Sequence, residues 1–323
     1  MDKKTILTGI KPTGAAHLGN YLGMIKPAIA MANEGERRSF LFIADYHALT
    51  TVKTASELAA HTRDIACVYL ACGLDPKRTV FYRQSRIPEN FELSTVLMNV
   101  TPKGLMDRAH AFKAAKQDGR EVNMGLYTYP ILMAADILAY GTNFVPVGED
   151  QKQHCEIAAD IARSFNAVYG ETLTVPEPYI TKNVAVIPGL DGRKMSKSYN
   201  NTIPLFCDEA ELEKCIKRIT TDSSAPTDPK PTTHLVFQLY SYFATKEQTA
   251  KFKKKFETGI GWGDAKKELF TVVNAAVKPM REKYNYYMTH YDEVEKILAD
   301  GEKRAREVSG AVLTCVRKAI GAV

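Results

Sequence analysis

Two lysines three positions apart stand in the string Lys194-Met195-Ser196-Lys197-Ser198, behind Gly189-Leu190-Asp191-Gly192-Arg193. Cations on a loop of small residues can swing onto a triphosphate and stabilise the charge that builds on a leaving pyrophosphate. A bare K-x-x-K is usually solvated surface charge, but five such residues with a glycine-rich lead-in are far more specific. A second candidate runs from Thr8 to Asn20 (T-G-I-K-P-T-G-A-A-H-L-G-N). Its glycines and proline suit a tight crossing from strand end to helix start, where backbone N–H groups and the helix dipole favour phosphate. It fits neither G-x-G-x-x-G nor a Walker A sequence. Taken alone, it is equally consistent with a turn that simply needs glycine.

The elements that would position these loops follow from periodicity. Thr5–Gly9, Ser39–Ala44, Thr79–Gln84 and Phe144–Val147 are short apolar runs suited to buried parallel strands. Between them lie helical patterns, clearest from Ala55 to Cys72, where Leu58, Ile65, Val68, Tyr69 and Cys72 share a face and Gly73 gives the stop. Strand–helix alternation predicts a doubly wound α/β domain with a parallel sheet. After about Asn201 the periodicity is helical: Leu212, Cys215, Ile216 and Ile219 form one face, and Ala305, Val308, Val312 and Val316 another. A Ser/Thr/Pro-rich loop, Thr221–Thr233, separates two helices, and Lys116–Gly125 reads as a mobile lid. The expected division is a catalytic domain over 1–200, a helical domain over 201–290, and a C-terminal helix over 291–323 that packs back on the body.

At 323 residues the chain is long enough for about two domains. Residues 201–323 hold 20 Lys+Arg against 17 Asp+Glu and the first 200 hold 23 against 20, so the net charge of +6 is spread evenly and marks no RNA site. The six cysteines (Cys67, Cys72, Cys155, Cys207, Cys215, Cys315) form no C-x-x-C pair or iron–sulfur spacing and read as half-buried thiols. Neither a signal-peptide core nor an apolar run near 20 residues is present, so a cytoplasmic location without membrane contact is expected.

Together, His17-Leu18-Gly19-Asn20 and Lys194–Ser198, about 175 residues apart, resemble the H-I-G-H and K-M-S-K-S signatures of class I aminoacyl-tRNA synthetases. Met133-Ala134-Ala135-Asp136-Ile137-Leu138, followed by Val145-Pro146-Val147-Gly148-Glu149-Asp150-Gln151-Lys152-Gln153-His154, resembles the tryptophanyl branch of that class along essentially the whole chain. The resemblance implies a Rossmann-like catalytic domain, an anticodon-reading helical domain, a homodimer, and tRNA(Trp), L-tryptophan and ATP as partners. Mg²⁺ should arrive with ATP, since no Asp, Glu or His cluster is spaced to hold a metal alone.

The same resemblance places His17, Asn20, Lys194 and Lys197 on the phosphates. Lys11, Pro12, Thr13, Gly19, Ile187, Met195, Ser196 and Ser198 complete the ATP site, with Gly148, Glu149 and Asp150 at the ribose. Asp136 would accept the indole N–H of tryptophan, a donor-only group. Its setting in the apolar run Tyr129–Ala135 is one where a lone carboxylate is costly; without the resemblance it reads as a capping or exposed residue. Leu7, Met133, Ile137, Val145 and Val147 would form a flat apolar slot, and Tyr129 and Gln151 would hold the α-ammonium group. His154 is expected to be structural. Lys11 departs from the glutamine common in bacterial relatives and would add a cation beside the phosphates. The family's loop lysine aligns with Ala115, leaving Lys113 and Lys116 as equal candidates.

Other readings are a tyrosyl-tRNA synthetase, a small adenylyl- or cytidylyltransferase sharing the H-x-G-H-type turn, and a non-catalytic paralogue that binds tryptophan or RNA. The first is opposed by Asp136 with V-P-V-G-E-D. The second is opposed by the intact K-M-S-K-S loop and the long helical C-terminal half, and the third by joint retention of the phosphate residues and Asp136.

Overall fold

The computed structural model describes residues 3–119, 121–148, 152–180 and 187–322. Five parallel strands, β1 (Thr5–Ile10), β2 (Arg38–Ile43), β3 (Thr79–Arg83), β4 (Phe144–Val147) and β5 (Glu177–Ile180), form one sheet in the order β3-β2-β1-β4-β5. The chain winds outward from β1 through β2 to β3, then returns to β1 and winds the other way. A crevice therefore opens beyond the carboxyl ends of β1 and β4. Strands alternate their side chains between faces, and each face has its own core. Ile10, Leu41, Ile43 and Phe81 point into one, and Leu7, Phe40, Phe42, Val80, Tyr82 and Val145 into the other. Burial on both faces is why these strands read as continuous apolar runs.

Helix α1 (Leu18–Asn20) passes through a π-helical turn, Tyr21–Ile25, into α2 (Lys26–Asn33). After β2 come α3 (Asp45–Ala48) and α4 (Ala55–Ala71), and after β3 come α5 (Pro88–Met98), α6 (Lys103–Asp107), α7 (His110–Gln117) and α8 (Met124–Leu138). Helix α9 (Lys152–Tyr169) links β4 to β5. The Lys116–Gly125 segment is thus helical at both ends, with Lys116 and Gln117 closing α7 and Met124 opening α8. Ala115 is fully buried, which excludes that position as a ligand contact, while Lys113 and Lys116 are both exposed.

The rest is α10 (Glu209–Lys217), α11 (Leu235–Phe243), α12 (Lys246–Thr258), α13 (Trp262–Thr289) and α14 (Tyr291–Ile320). Leu212, Leu239, Phe252, Leu269 and Val273 join the same core as Ile10 and Leu41, and α13 packs along α4. The Thr221–Thr233 loop is tied down where buried Lys230 donates to the carbonyls of Ala225 and Asp228.

Helix α14 turns back along the exposed edge of β3. Its buried face is Val294, Leu298, Gly301, Ala305, Ser309, Leu313 and Val316. Val308 and Val312 are only half-buried, which corrects the apolar face expected from the sequence by one residue. A Cβ on Gly301 would overlap the carbonyl of Phe81, so the helix backbone lies directly on the strand. Covering an edge this closely blocks pairing with another chain. Arg83, at the end of β3, locks the contact through Glu302 at 2.6 Å and Glu295 at 2.8 Å.

The cysteines divide unevenly: Cys67, Cys155 and Cys215 are buried, Cys72 and Cys207 half-buried, and Cys315 is exposed. Burial pushes the Cys67 thiol up to about 12. Among the described residues, no helix is long and apolar enough to cross a membrane.

Candidate active site

The turn after β1 is organised by two residues that cap each other. His17 Nδ1 accepts from the Asn20 N–H, and Asn20 Oδ1 accepts from the His17 N–H, both at 3.2 Å. This is a capping box with histidine and asparagine in the usual Ser/Thr and Glu/Gln places. Because Nδ1 is the acceptor, the neutral ring carries its proton on Nε2. Burial, and then the charge of Lys197, lower the His17 pKa to about 4, so the ring is neutral at pH 7. It offers a donor without a charge, and Asn20 retains its Nδ2 amide as a donor.

That pKa has a consequence for stability. Unfolding returns His17 toward 6.5, so its contribution is complete above pH 6.5 and is lost as pH falls toward 4. The loss is on the order of 2 kcal/mol. His17→Asn keeps a good N-cap but removes the titration. The gap between urea midpoints at pH 7 and pH 4.5 should therefore be smaller in the variant than in wild type. An equal gap would show that His17 is not the titrating group.

The lysine loop meets this turn directly. The Gly19 N–H donates to Met195 Sδ at 3.2 Å, and a Cβ on Gly19 would crowd His17 and Met195. Met195 is buried with Ile187, whose carbonyl accepts from the Met195 N–H at 2.9 Å. Asn201, 2% exposed, holds the loop together. It accepts from the Ser196 N–H at 2.8 Å and donates to Lys194 O at 3.2 Å and Asp191 at 2.7 Å. A Cβ on Gly189 would strike Asn201, so that glycine is needed for close approach. Lys197 Nζ donates to the carbonyl of Thr13 at 2.9 Å, bringing the second lysine onto the first turn. Lys194, Ser198 and Thr13 are exposed, Ser196 is half-buried and Pro12 is buried.

Lys11 follows β1 directly. Its Nζ donates to Thr50 Oγ1 at 2.7 Å, and burial lowers its pKa, helped by Lys53. It is a tether between β1 and the segment after α3.

Asp136, on α8, is fully buried. It is neither capping nor exposed, and it does not wait for a ligand to be paired. Oδ2 meets Gln84 Nε2 at 2.7 Å and His47 Nε2 at 2.9 Å, and Oδ1 accepts from Asn90 Nδ2 at 2.9 Å. Burial raises its pKa, opposed chiefly by His47. Gln84 Oε1 in turn accepts from the backbone of Tyr46 and His47, and Asp45 binds the Ser85 N–H at 2.9 Å. One carboxylate thus fixes the segments that follow β2 and β3.

Beside it, Tyr129 sets its ring edge-on to His47 and bonds through its hydroxyl to His154 Nε2 at 2.9 Å. The Tyr129 hydroxyl thus already has a partner in His154. Leu7, Ile137, Val145 and Val147 are buried, and Met133 and Tyr129 are half-buried. Gly148 follows β4, and Glu149, Asp150 and Gln151 lie outside the described residues. A cleft of about 460 Å³ opens here, bounded by Tyr46, His47, Thr50, Phe91, Tyr129 and Leu132.

His47, Gln84, Asn90 and Asn201 were not singled out from the sequence. The first two lie just past the carboxyl ends of β2 and β3, where ligands of such sheets gather, and that position was a usable signal.

The family described as tRNA synthetases class I (W and Y) matches residues 2–278. The chain is 46% identical to the tryptophan–tRNA ligase of Neisseria meningitidis, over 99% of this chain and 98% of that one. It is 47% identical to the tryptophan–tRNA ligase of Pseudomonas aeruginosa, covering 98% of this chain and 73% of the relative. A crystal structure of the tryptophanyl-tRNA synthetase of Campylobacter jejuni, complexed with ADP and tryptophan, superposes with a TM-score of 0.91 at 40% identity. That match covers 98% of this chain and 99% of the other.

Proposed function

This chain belongs to the class I tRNA synthetases of the tryptophanyl and tyrosyl type, and from that membership we propose that it activates L-tryptophan with ATP and esterifies tRNA(Trp). The observation that carries the amino-acid choice is the buried Asp136 with its three side-chain donors. A carboxylate has about four lone-pair positions, so one remains for an indole N–H. Phenylalanine leaves that position empty, and tyrosine carries its hydroxyl elsewhere on a differently shaped ring, which is the kind of mismatch that discriminates strongly.

The tryptophan carboxylate attacks the α-phosphorus of ATP in line, forming an O–P bond as the bond to pyrophosphate breaks. The protein contributes positioning and charge rather than a nucleophile. His17 through Nε2–H, Asn20 through Nδ2, and Lys194 and Lys197 bear on the phosphates. Mg²⁺ enters with ATP as part of the substrate. Gly148, Glu149 and Asp150 serve the ribose, and Gln151 with Tyr129 the α-ammonium group. The terminal ribose hydroxyl of the tRNA then attacks the adenylate carbonyl, releasing AMP. Helices α10 to α13 read the anticodon, and the work is done in the cytoplasm.

A homodimer is part of this reading. Tyr46, Leu49, Met98 and Met124 are exposed around or beside the 460 Å³ cleft, an apolar grouping of the kind that marks contact surfaces. Sedimentation as a single protomer at micromolar concentration would overturn it.

The test of function is ATP–pyrophosphate exchange with tryptophan and tyrosine in parallel. Exchange with tryptophan alone is expected, and Asp136→Asn should lose about 10²-fold or more in kcat/KM for tryptophan. Exchange with tyrosine would transfer the chain to the other branch. No exchange from folded protein with Mg²⁺ present would favour a binding paralogue.

A further inference from the structure

Charge that is spread evenly along the sequence is gathered at one place by the fold. A cleft of about 870 Å³ opens at the amino ends of the strands, and Lys3, Arg37, Arg38, Lys77, Arg78 and Asn143 stand on its wall. Lys3 precedes β1, Arg38 opens β2, Lys77 and Arg78 lead into β3, and Asn143 leads into β4. Five cations from three stretches of chain thus meet at the rim opposite the active-site crevice, about 20 Å away along the six residues of β1. Among the described residues, no Asp or Glu lines the cleft. Two of the cations have only long ion pairs, Arg37 with Glu34 at 3.9 Å and Arg78 with Asp75 at 3.5 Å. Lys3, Arg38 and Lys77 have none among the described residues.

The rim offers donors, because its acceptors are already engaged. The carbonyls of Lys4, Thr5 and Asn143 accept from the N–H groups of Arg38, Asn143 and Glu177. Asn143 Oδ1 accepts from the Thr5 N–H, and the carbonyls of Gly35 and Asn33 accept from Lys3 Nζ and Arg78 Nη1, all at 2.8 Å. Two guanidinium groups are held over aromatic rings, Arg37 at 5.3 Å from Tyr179 and Arg38 at 5.3 Å from Phe40. A ring orients a guanidinium without using up its N–H groups, so the fork remains available to an oxyanion. We propose that this cleft binds a chain of phosphates, either a free oligophosphate or the backbone of an RNA. A wall this polar rejects an apolar ligand, and no aromatic ring lines it on which a base could stack. Five cations across this volume suit several phosphates in a row, which would also relieve their mutual repulsion. The proposal is independent of the function proposed above.

Calorimetric titration of the full chain with inorganic tripolyphosphate tests this, in a Lys194→Ala, Lys197→Ala background so that the lysine loop does not contribute. Binding is expected there, and adding Arg38→Gln with Lys77→Gln should weaken the Kd about tenfold or more. Both side chains are exposed, so the added changes should leave the unfolding midpoint of the free chain unmoved. Tripolyphosphate should raise that midpoint less in the glutamine variant than in the background chain. A single-stranded RNA titrated in parallel identifies the source. A salt dependence shallower by about two in the glutamine variant assigns the cleft to an RNA backbone, whereas an equal slope assigns it to a free oligophosphate. No binding of tripolyphosphate by the background chain, or one Kd with and without the two glutamines, would overturn the proposal. Absence of exchange by the wild-type chain would sink the proposed function alone, because these titrations read binding at residues outside that site.

Discussion

Lys197→Ala is expected to lower kcat for tryptophan-dependent exchange by about 10²- to 10³-fold, the loss typical when one preorganised charge at a developing anion is removed. Stability should hardly change, because among the described residues the side chain makes one hydrogen bond, to Thr13, and the loop around it is fixed by other residues. Asn201 clasps the backbone at Lys194 and Ser196, and Met195 is anchored to Ile187 and Gly19. The loop should therefore survive with only its charge missing. An effect on kcat and kcat/KM together marks an interaction made in the transition state. A rise in KM for ATP at constant kcat would mean that Lys197 binds substrate and transition state alike, and would remove it from the catalytic machinery. Equal unfolding midpoints in urea for wild type and variant complete the measurement.

Sequence and structure agree best where the chemistry is local. The H-L-G-N turn and the K-M-S-K-S loop are each short, and their internal bonds join residues within a few positions of one another. The contact between them, Gly19 to Met195, spans 176 positions, and nothing in either string discloses it. Asp136 shows the same division. Its oddity in an apolar run is visible in sequence, but its partners lie 46, 52 and 89 positions away, on segments that the parallel sheet alone brings together. Reading it as a carboxylate awaiting a ligand underestimated how completely the protein had already paired it. Strand β5, Glu177-Pro178-Tyr179-Ile180, escaped notice for a different reason. A four-residue edge strand containing proline carries little apolar signal. The tie from Lys11 to Thr50 depends on α3, and no spacing rule reaches it.

Helix α14 supplies the second large effect, because the sequence rule that fails there also predicts the wrong sign. Propensity says that replacing a mid-helix glycine stabilises by up to about 1 kcal/mol. That should hold at Gly310, where an added Cβ meets nothing within 4 Å. At Gly301 the same addition strikes the backbone of Phe81, in a strand that cannot give way without breaking register with β2. Gly301→Val should cost about 3 kcal/mol or more, at the upper end of overpacking effects, while Gly310→Ala stabilises by about 0.5–1 kcal/mol. Urea midpoints of the two variants measure the contrast. A Gly301 variant as stable as wild type would mean that α14 does not lie on β3. The damage should also reach the site. Strand β3 leads directly into Gln84, which holds Asp136 and the backbone of His47, so a displaced strand loosens the amino-acid pocket. Residual exchange by Gly301→Val should therefore show a raised KM for tryptophan with a smaller change in KM for ATP, since the residues proposed for the phosphates sit on the turn after β1 and the lysine loop instead.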